Sequence, residues 1–192
     1  ERSKILPKSV YGKTKIKAER LIISNCKKLK INYAILRYFN VCGASQSGKI
    51  GLIASTDSLF KNISIALKKK NPVIQIYGND YNTPDGTTIR DYIHVSDLAD
   101  IHYKILKKIS ETNKSTIVNC GYFKGTSVKK VINEFKKQSK KKIDILYRGR
   151  RAGDLAMVIA NNKKLKKFIN WYPKYYRLSA IVKSCIQWEK NN

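Results

Sequence analysis

A tyrosine and a lysine four residues apart near the start of the chain could provide acid–base chemistry. Tyr11 and Lys15 lie in the segment YGKTK, and on a helix this spacing places both side chains on one face. A lysine ammonium beside a phenol stabilises the phenolate, so the tyrosine can act as a base near neutral pH. In a lysine-rich chain this spacing also arises by chance, so the alternative is an exposed helix face without a catalytic role.

Residues 77–100 form the segment richest in groups that could handle a polar ligand. Their sequence, YGNDYNTPDGTTIRDYIHVSDLAD, combines acidic, aromatic and glycine residues with one arginine and one histidine, against a background of lysine and isoleucine. A catalytic role for His94 is the less favoured interpretation. Hydrogen bonding within loops and at a domain interface is the preferred role for this residue and for three acids, Asp80, Asp85 and Asp91.

The composition excludes a disordered chain and leaves two interpretations of the high charge. Hydrophobic residues make up 42% of the 192 residues, which allows a folded core. The formal net charge is +27, and such a charge can indicate binding to nucleic acid or another polyanion. Because the positive residues are mostly lysines spread along the chain, whereas phosphate recognition favours arginine, we interpret the charge as surface drift without a specific nucleic-acid partner.

The sequence indicates neither a membrane segment nor a metal site. No apolar run approaches the length of a transmembrane helix, and the first residues do not resemble a signal peptide. No CxxC motif or neighbouring histidine accompanies the four cysteines, Cys26, Cys42, Cys120 and Cys185. We therefore expect a cytoplasmic protein with no membrane contact and no metal, whose thiols are free and buried.

The elements that must position these residues alternate between strands and helices, which predicts an α/β fold. Ile16, Leu21, Ile22 and Leu29 mark one side of a predicted helix over residues 9–30. Residues 40–49 are predicted to form a loop, and Ser96 to cap the helix that follows the central segment. The predicted strands are 32–39, 73–77, 92–95, 115–120 and 142–147. The other predicted helices are 59–67, 96–108, 127–138 (capped by Thr126 or Ser127), 161–168 and 178–190.

Further motifs carry a family resemblance over nearly the whole chain. They are LRYFNVCGA at residues 36–44, VNCGYFKGTSV at 118–128, RRAGD at 150–154 and WYP at 171–173. Together with the YxxxK pair and residues 77–100, these motifs resemble the UDP-glucose 4-epimerases of the extended short-chain dehydrogenase/reductase superfamily. The resemblance implies interconversion of UDP-glucose and UDP-galactose in galactose metabolism, NAD as cofactor, and a homodimer in the intact family.

The same resemblance implies a domain division and specific residue roles. Residues 1–43 and 86–113 would belong to a Rossmann-type NAD-binding domain, and residues 44–85 and 114–192 to a smaller α/β domain that binds the nucleotide sugar. Tyr11 would be the catalytic base on the sugar 4-hydroxyl, Lys15 would assist it and bind the nicotinamide ribose, and Phe39 would lie beside the cofactor. The implied substrate-binding residues are Asn40, Ser58 and Leu59 at the diphosphate, Gln75, Ile76 and Tyr77 at the uracil, and Arg90, Arg151 and Asp154 at the diphosphate and uridine ribose.

The sequence also departs from this family. It contains no Gly-x-x-Gly-x-x-Gly turn to bind a pyrophosphate, so we expect the glycine-rich first half of the fold to be missing and the truncated chain to be inactive alone. Ser58 replaces a usual His or Asn, Lys61 a usual Pro, and Val158 a usual Tyr, which indicates relaxed selection. The alternatives are another nucleotide-sugar epimerase or dehydratase, a non-catalytic remnant, and a lysine-driven polyanion binder.

Overall fold

The computed structural model describes residues 1, 3–7, 9–53 and 58–192, and the predicted α/β class is confirmed. The helices are α1 (Val10–Lys28), α2 (Leu59–Ala66), α3 (Val95–Thr112), α4 (Val128–Ser139), α5 (Lys163–Ile169) and α6 (Leu178–Asn191). The strands are β1 (Ala34–Tyr38), β2 (Asn40–Cys42), β3 (Val73–Tyr77), β4 (Ile89–His94), β5 (Thr116–Cys120), β6 (Gly125–Ser127), β7 (Asp144–Arg148) and β8 (Met157–Val158).

Parallel strand pairs organise the fold. β1 pairs with β5, β2 with β4 and β3 with β7, all in parallel. β4 also pairs with β6 in antiparallel and with β8 in parallel orientation, so it joins three other strands. The last four residues of β4 are buried, which places this strand at the centre of the described part of the chain.

Two apolar clusters form the core. In the first, Phe60 and Ile63 of α2 pack with the inner residues of α4, α6 and β3. In the second, Ile101 of α3 packs with Val118 of β5 and with Trp171, which follows α5. The predicted domain division stays a prediction, but the pairing of β5 with β1 groups residues 116–120 with the first part of the chain.

Two predicted features of the chain were wrong at the level of local structure. Residues 40–42, predicted as loop, form β2, because pairing with β4 supplies hydrogen-bond partners that the local sequence does not reveal. His94, not Ser96, caps α3: its Nδ1 accepts a hydrogen bond from the Ser96 amide at 3.1 Å. Since β4 runs into α3 without a loop, the last strand residue must serve as the cap.

The predicted single apolar side of α1 was also wrong. Ile16 lies on the half-buried face, whereas Leu21, Ile22 and Leu29 are exposed by 63%, 45% and 67%. Glu19, on the half-buried face, accepts two hydrogen bonds from Arg37 of β1, at 2.8 and 2.6 Å. The half-buried face of α1 thus combines this ion pair with Ile16, Ile23 and Cys26, and most of the other apolar residues of the helix lie outside.

Asp91, in the middle of β4, holds two later segments in place. One carboxylate oxygen accepts a hydrogen bond from the Tyr122 amide at 2.9 Å, and the other accepts from the amides of Phe123 at 2.9 Å and Ala160 at 3.2 Å. The residue is fully buried. Burial raises the pKa of Asp91, and the amide hydrogen bonds oppose this only in part. The preferred structural role of Asp91 is therefore confirmed.

His94 is buried beside Gly43 and contacts α6. Its Nε2 lies 3.3 Å from Oγ of Ser184, and that hydroxyl oxygen also accepts a hydrogen bond from the Ala44 amide. Gly43 has φ +88°, and a Cβ at this position would lie 2.6 Å from the imidazole. Burial lowers the pKa of His94, and the nearby Asp97 opposes this in part. The preferred structural role of His94 is likewise confirmed.

Replacement of Asp91 by Asn should destabilise the fold by about 3 kcal/mol, because the amide group cannot accept from all three buried amides. The measurement is the free energy of unfolding in urea. Asp144→Asn is the control, since the exposed Asp144 pairs with exposed Lys142 and such pairs contribute about 0–1 kcal/mol. Equal effects of the two substitutions would contradict the role of Asp91.

The free energy of unfolding should fall as the pH is lowered through about 6.5, which is the ordinary pKa of a histidine side chain. The unfolded chain binds a proton at His94 before the folded chain does, so protonation favours unfolding, and the loss is complete below the lowered folded-state pKa of His94. Unfolding free energies measured from about pH 8 to pH 5 test this. His94→Gln should show a flatter profile over this window, and identical pH profiles would refute the assignment.

Candidate functional site

One cleft of about 430 Å³ collects most of the side chains predicted to bind a ligand. It lies between β2, the first turns of α2 and α4, the ends of β3 and β4, and the loop before β8. The predicted residues that line it are Phe39, Asn40, Ser58, Leu59, Ile76, Tyr77, Arg90, Arg151 and Asp154. Residues separated by more than a hundred positions in the sequence thus meet at one surface.

The structure leaves three predicted residues outside this cleft. Tyr11, in the first turn of α1, is 72% exposed, and Nζ of Lys15 lies 5.2 Å from the centre of its ring. The two side chains share a helix face, as the spacing predicts. Gln75 is exposed on β3, on the opposite side of the strand from buried Ile76, and its side chain accepts a hydrogen bond from the Tyr77 hydroxyl at 3.3 Å.

The chain changes strand partners at Phe39, and this change places the next residues in the cleft. β1 pairs with β5, and the Phe39 amide still donates to the Cys120 carbonyl at 3.3 Å. From Asn40 onward the chain pairs with β4 instead, with Asn40 opposite Tyr92. Phe39 and Asn40 therefore lie at the gap between two sheets, where α/β proteins commonly bind ligands.

Arg90 provides a fixed positive charge in the cleft. One terminal nitrogen donates to the carbonyls of Leu155 at 2.7 Å and Ile89 at 3.0 Å, and the other donates to Asp154 at 3.4 Å. The side chain is only 14% exposed, compared with 36% for Asp154. A guanidinium has five N–H donors, so one held in this way can also donate to an anion in the cleft.

Two consecutive arginines, Arg150 and Arg151, connect the loop after β7 to the end of β3 and to the segment that follows β3. Arg151 lies over the ring of Tyr77, with 4.0 Å between the guanidinium carbon and the ring centre. Arg150 lies over Tyr81 at 4.4 Å and donates to Asp80 at 2.8 Å. The hydrogen bond from Arg150 lowers the pKa of Asp80. Arg151 and Tyr77 together present a cation beside an aromatic surface.

Sequence reasoning missed six other residues that line the cleft. They are Val41, Phe60, Asn62, Thr88, Tyr92 and Val128. A periodicity could have identified two of them, because Thr88, Arg90 and Tyr92 alternate along an extended segment and must share a face. Asn62 lies one helical turn after Ser58, so it follows from the same helix face once Ser58 is placed.

The cleft is suited to a phosphorylated ligand that carries an aromatic group. Arg90 and Arg151 supply positive charge, and the N-terminus of α2 adds the positive end of its helix dipole. The first three amides of α4 donate instead to Thr88, Thr87 and Ser127. Asp154 is an acceptor for ligand hydroxyl groups. Within the residues described above, no group of three or more His, Cys, Asp or Glu could hold a metal ion.

Other features of the described residues bear on the expectations from sequence. All four cysteines are free, and three of them are buried, whereas Cys26 is half-buried. Among the helices of residues 1, 3–7, 9–53 and 58–192, none is both long and apolar enough to cross a membrane.

The sequence and the fold both match known proteins. Residues 1–121 match the NAD dependent epimerase/dehydratase family. The chain is 37% identical over 187 residues to UDP-glucose 4-epimerase of Azospirillum brasilense, covering 97% of this chain and 54% of that protein. It is 39% identical over 191 residues to UDP-arabinose 4-epimerase 1 of Arabidopsis thaliana, covering 96% and 45%.

Solved structures of UDP-glucose 4-epimerases are similar to the structure of this chain. UDP-glucose-4-epimerase of Stenotrophomonas maltophila, with bound NAD and formylated UDP-arabinopyranose, matches with a TM-score of 0.93 at 29% identity, over 100% of this chain and 57% of that one. The enzyme of Bifidobacterium longum, in complex with NAD+ and UDP, matches with a TM-score of 0.86 at 31% identity, over 95% and 55%. The chain thus spans about half the length of the relatives it matches.

Proposed function

Because the chain belongs to the NAD dependent epimerase/dehydratase family, we propose that it acts in the interconversion of UDP-glucose and UDP-galactose and supplies the nucleotide-binding side of that site. The observation that supports this most directly is the cleft itself. Arg90, Arg151, Tyr77 and the first turn of α2 line one volume of about 430 Å³, which falls within the range of small-ligand sites.

We propose the following binding roles for the cleft residues. Asn40, Ser58 and Leu59 bind the diphosphate, together with the guanidinium groups of Arg90 and Arg151, whose forked donors suit phosphate oxygens. Ile76 and Tyr77 contact the uracil, and Asp154 accepts hydrogen bonds from the ribose hydroxyls. Gln75 does not line the cleft, so its proposed contact with the uracil requires the ligand to extend past Ile76 along β3.

The residues that fit NAD belong to one end of that cofactor. Tyr11 and Lys15 share an exposed helix face, and Phe39 lines the cleft, which fits a nicotinamide ribose. The 192-residue sequence contains no glycine-rich pyrophosphate turn, so these residues do not account for the rest of the dinucleotide. When bound, NAD+ supplies the hydride acceptor for C4 of the sugar.

Tyr11 is the proposed base of the reaction. Its phenolate would take the proton of the sugar 4-hydroxyl. It would return the proton after the 4-keto sugar has rotated to present its other face. The Lys15 ammonium, already beside the Tyr11 ring, would stabilise the phenolate and hold the ribose. The sugar is the less defined part of the proposal, because the relatives include a UDP-arabinose enzyme, which makes a UDP-pentose the competing substrate.

Arg90→Gln should weaken UDP binding about tenfold or more, because a charge-assisted hydrogen bond to a phosphate is lost. Isothermal titration of the purified chain with UDP measures this. Arg150→Gln is the matched control, since Arg150 is the neighbouring arginine that bonds Asp80 and does not line the cleft. Failure of the unmodified chain to bind UDP, or equal losses in both variants, would refute the nucleotide role.

Turnover should depend on Tyr11 once a pyrophosphate-binding segment is supplied. In a fusion to the glycine-rich N-terminal portion of a relative, Tyr11→Phe removes the proposed base and should reduce turnover roughly 100-fold or more. The assay is interconversion of UDP-glucose and UDP-galactose, with UDP-arabinose as a parallel substrate. Tyr103→Phe, at an exposed tyrosine of α3, is the control, and near-normal turnover of the Tyr11→Phe fusion would contradict the mechanism.

A further inference from the structure

A buried ion pair connects α2 to the last helix of the chain. Nζ of Lys61 lies 2.7 Å from Oε2 of Glu189, and each side chain is only 8% exposed. The other carboxylate oxygen of Glu189 lies 3.1 Å from Nζ of Lys68, a residue that is half exposed. Both oxygens of the carboxylate are therefore engaged, one by each lysine.

The positions of the two lysines give this contact its geometry. Lys61 lies in the first turn of α2, and Lys68 follows the end of this eight-residue helix. They are seven positions apart, which is two helical turns, so both project toward α6 from the same face. Ser64, buried between them on this face, lies where α2 and α6 pack together. Glu189 thus holds α2 near both of its ends.

The ion pair contributes orientation more than stability. Moving a lysine and a glutamate out of water costs about as much as their attraction returns, and two apolar side chains would stabilise such a contact at least as well. Burial by itself would raise the pKa of Glu189, but the hydrogen bonds from Lys61 and Lys68 outweigh it and lower the pKa. A salt bridge, unlike an apolar contact, fixes the rotation of a short helix through defined distances.

The orientation of α2 matters because the same first turn lines the cleft. Ser58 and Leu59 face the cleft, and Lys61 belongs to the same turn. A cation in the first turn opposes the helix dipole, so Lys61 does not improve α2 as an isolated helix. Its place is explained by the carboxylate on α6. The sequence alone interpreted Lys61 as a sign of relaxed selection, whereas the structure shows a matched partner.

We propose that Glu189 is a positioning residue for phosphate binding: its ion pairs with Lys61 and Lys68 hold the first turn of α2 against the phosphate groups of a ligand in the cleft. The inference rests on the proposed function, since it assumes a nucleoside diphosphate there. It predicts that a change at Glu189 of α6 alters the affinity for the diphosphate but not the affinity for the nucleoside.

The test compares UDP with uridine, which lacks the phosphates, by titration calorimetry on the 192-residue chain. Glu189→Gln should weaken UDP binding about tenfold, equivalent to one lost hydrogen bond to a charged group, and change uridine binding less than about twofold. Glu19→Gln, which removes the ion pair between α1 and β1 away from the cleft, is the matched control and should leave both affinities unchanged.

A double variant separates orientation from stability. Lys61→Met with Glu189→Leu replaces the ion pair by an apolar contact, so its thermal unfolding should match or exceed that of the unmodified chain. Its UDP affinity should nevertheless stay about tenfold weaker. Hydrogen exchange at the amides of residues 62–66, which donate along α2, should be faster in both variants, while exchange in α4 stays unchanged.

The outcomes are distinguishable. A UDP affinity that follows thermal stability, or that falls together with uridine affinity, would overturn the positioning role, as would unchanged hydrogen exchange in α2. An unmodified chain that binds UDP normally, with variants that bind it equally well, would overturn this inference alone. An unmodified chain that binds no UDP would overturn the proposed function and this inference together.

Discussion

The buried carboxylate of Asp91 is the interaction on which the arrangement of the site depends. It accepts hydrogen bonds from amides at residues 122, 123 and 160, and so attaches two later segments to the central strand. Because side chains alternate along a strand, an inward Asp91 turns its neighbours Arg90 and Tyr92 to the other side, where both line the cleft. One internal carboxylate therefore holds two later segments against β4 and directs the side chain of Arg90 into the cleft.

The cleft built on this strand relies on cations that the fold itself holds in place. Arg90 is anchored by two carbonyl oxygens and Asp154, and Arg151 is stacked on Tyr77. A phosphate that enters such a site meets donors that are already oriented, so little ordering is required on binding. Most lysines among the described residues are exposed, so the formal charge of +27 says less about recognition than two arginines do.

Lys61 illustrates how a departure from family pattern can carry information. Seen along the sequence, it is a positive charge in the first turn of a helix, where the helix dipole favours a negative charge. In the fold its ammonium meets Glu189, 128 residues later, at 2.7 Å, in a place that neither residue could occupy alone without a large desolvation cost. The structure thus favours compensation between α2 and α6 over decay at this position.

Alternation and capping residues act locally, so the sequence by itself determined the α/β class and the bounds of β3. It also limited the cap of α4 to Thr126 or Ser127, of which the structure selects Ser127. Family motifs also named most of the cleft residues. Contacts distant in sequence decided the rest: β2 pairs with β4, and Glu19 on the half-buried face of α1 pairs with Arg37 of β1. Asn62 joined the site only when α2 was placed, because no local pattern encodes which face of a helix meets a cleft.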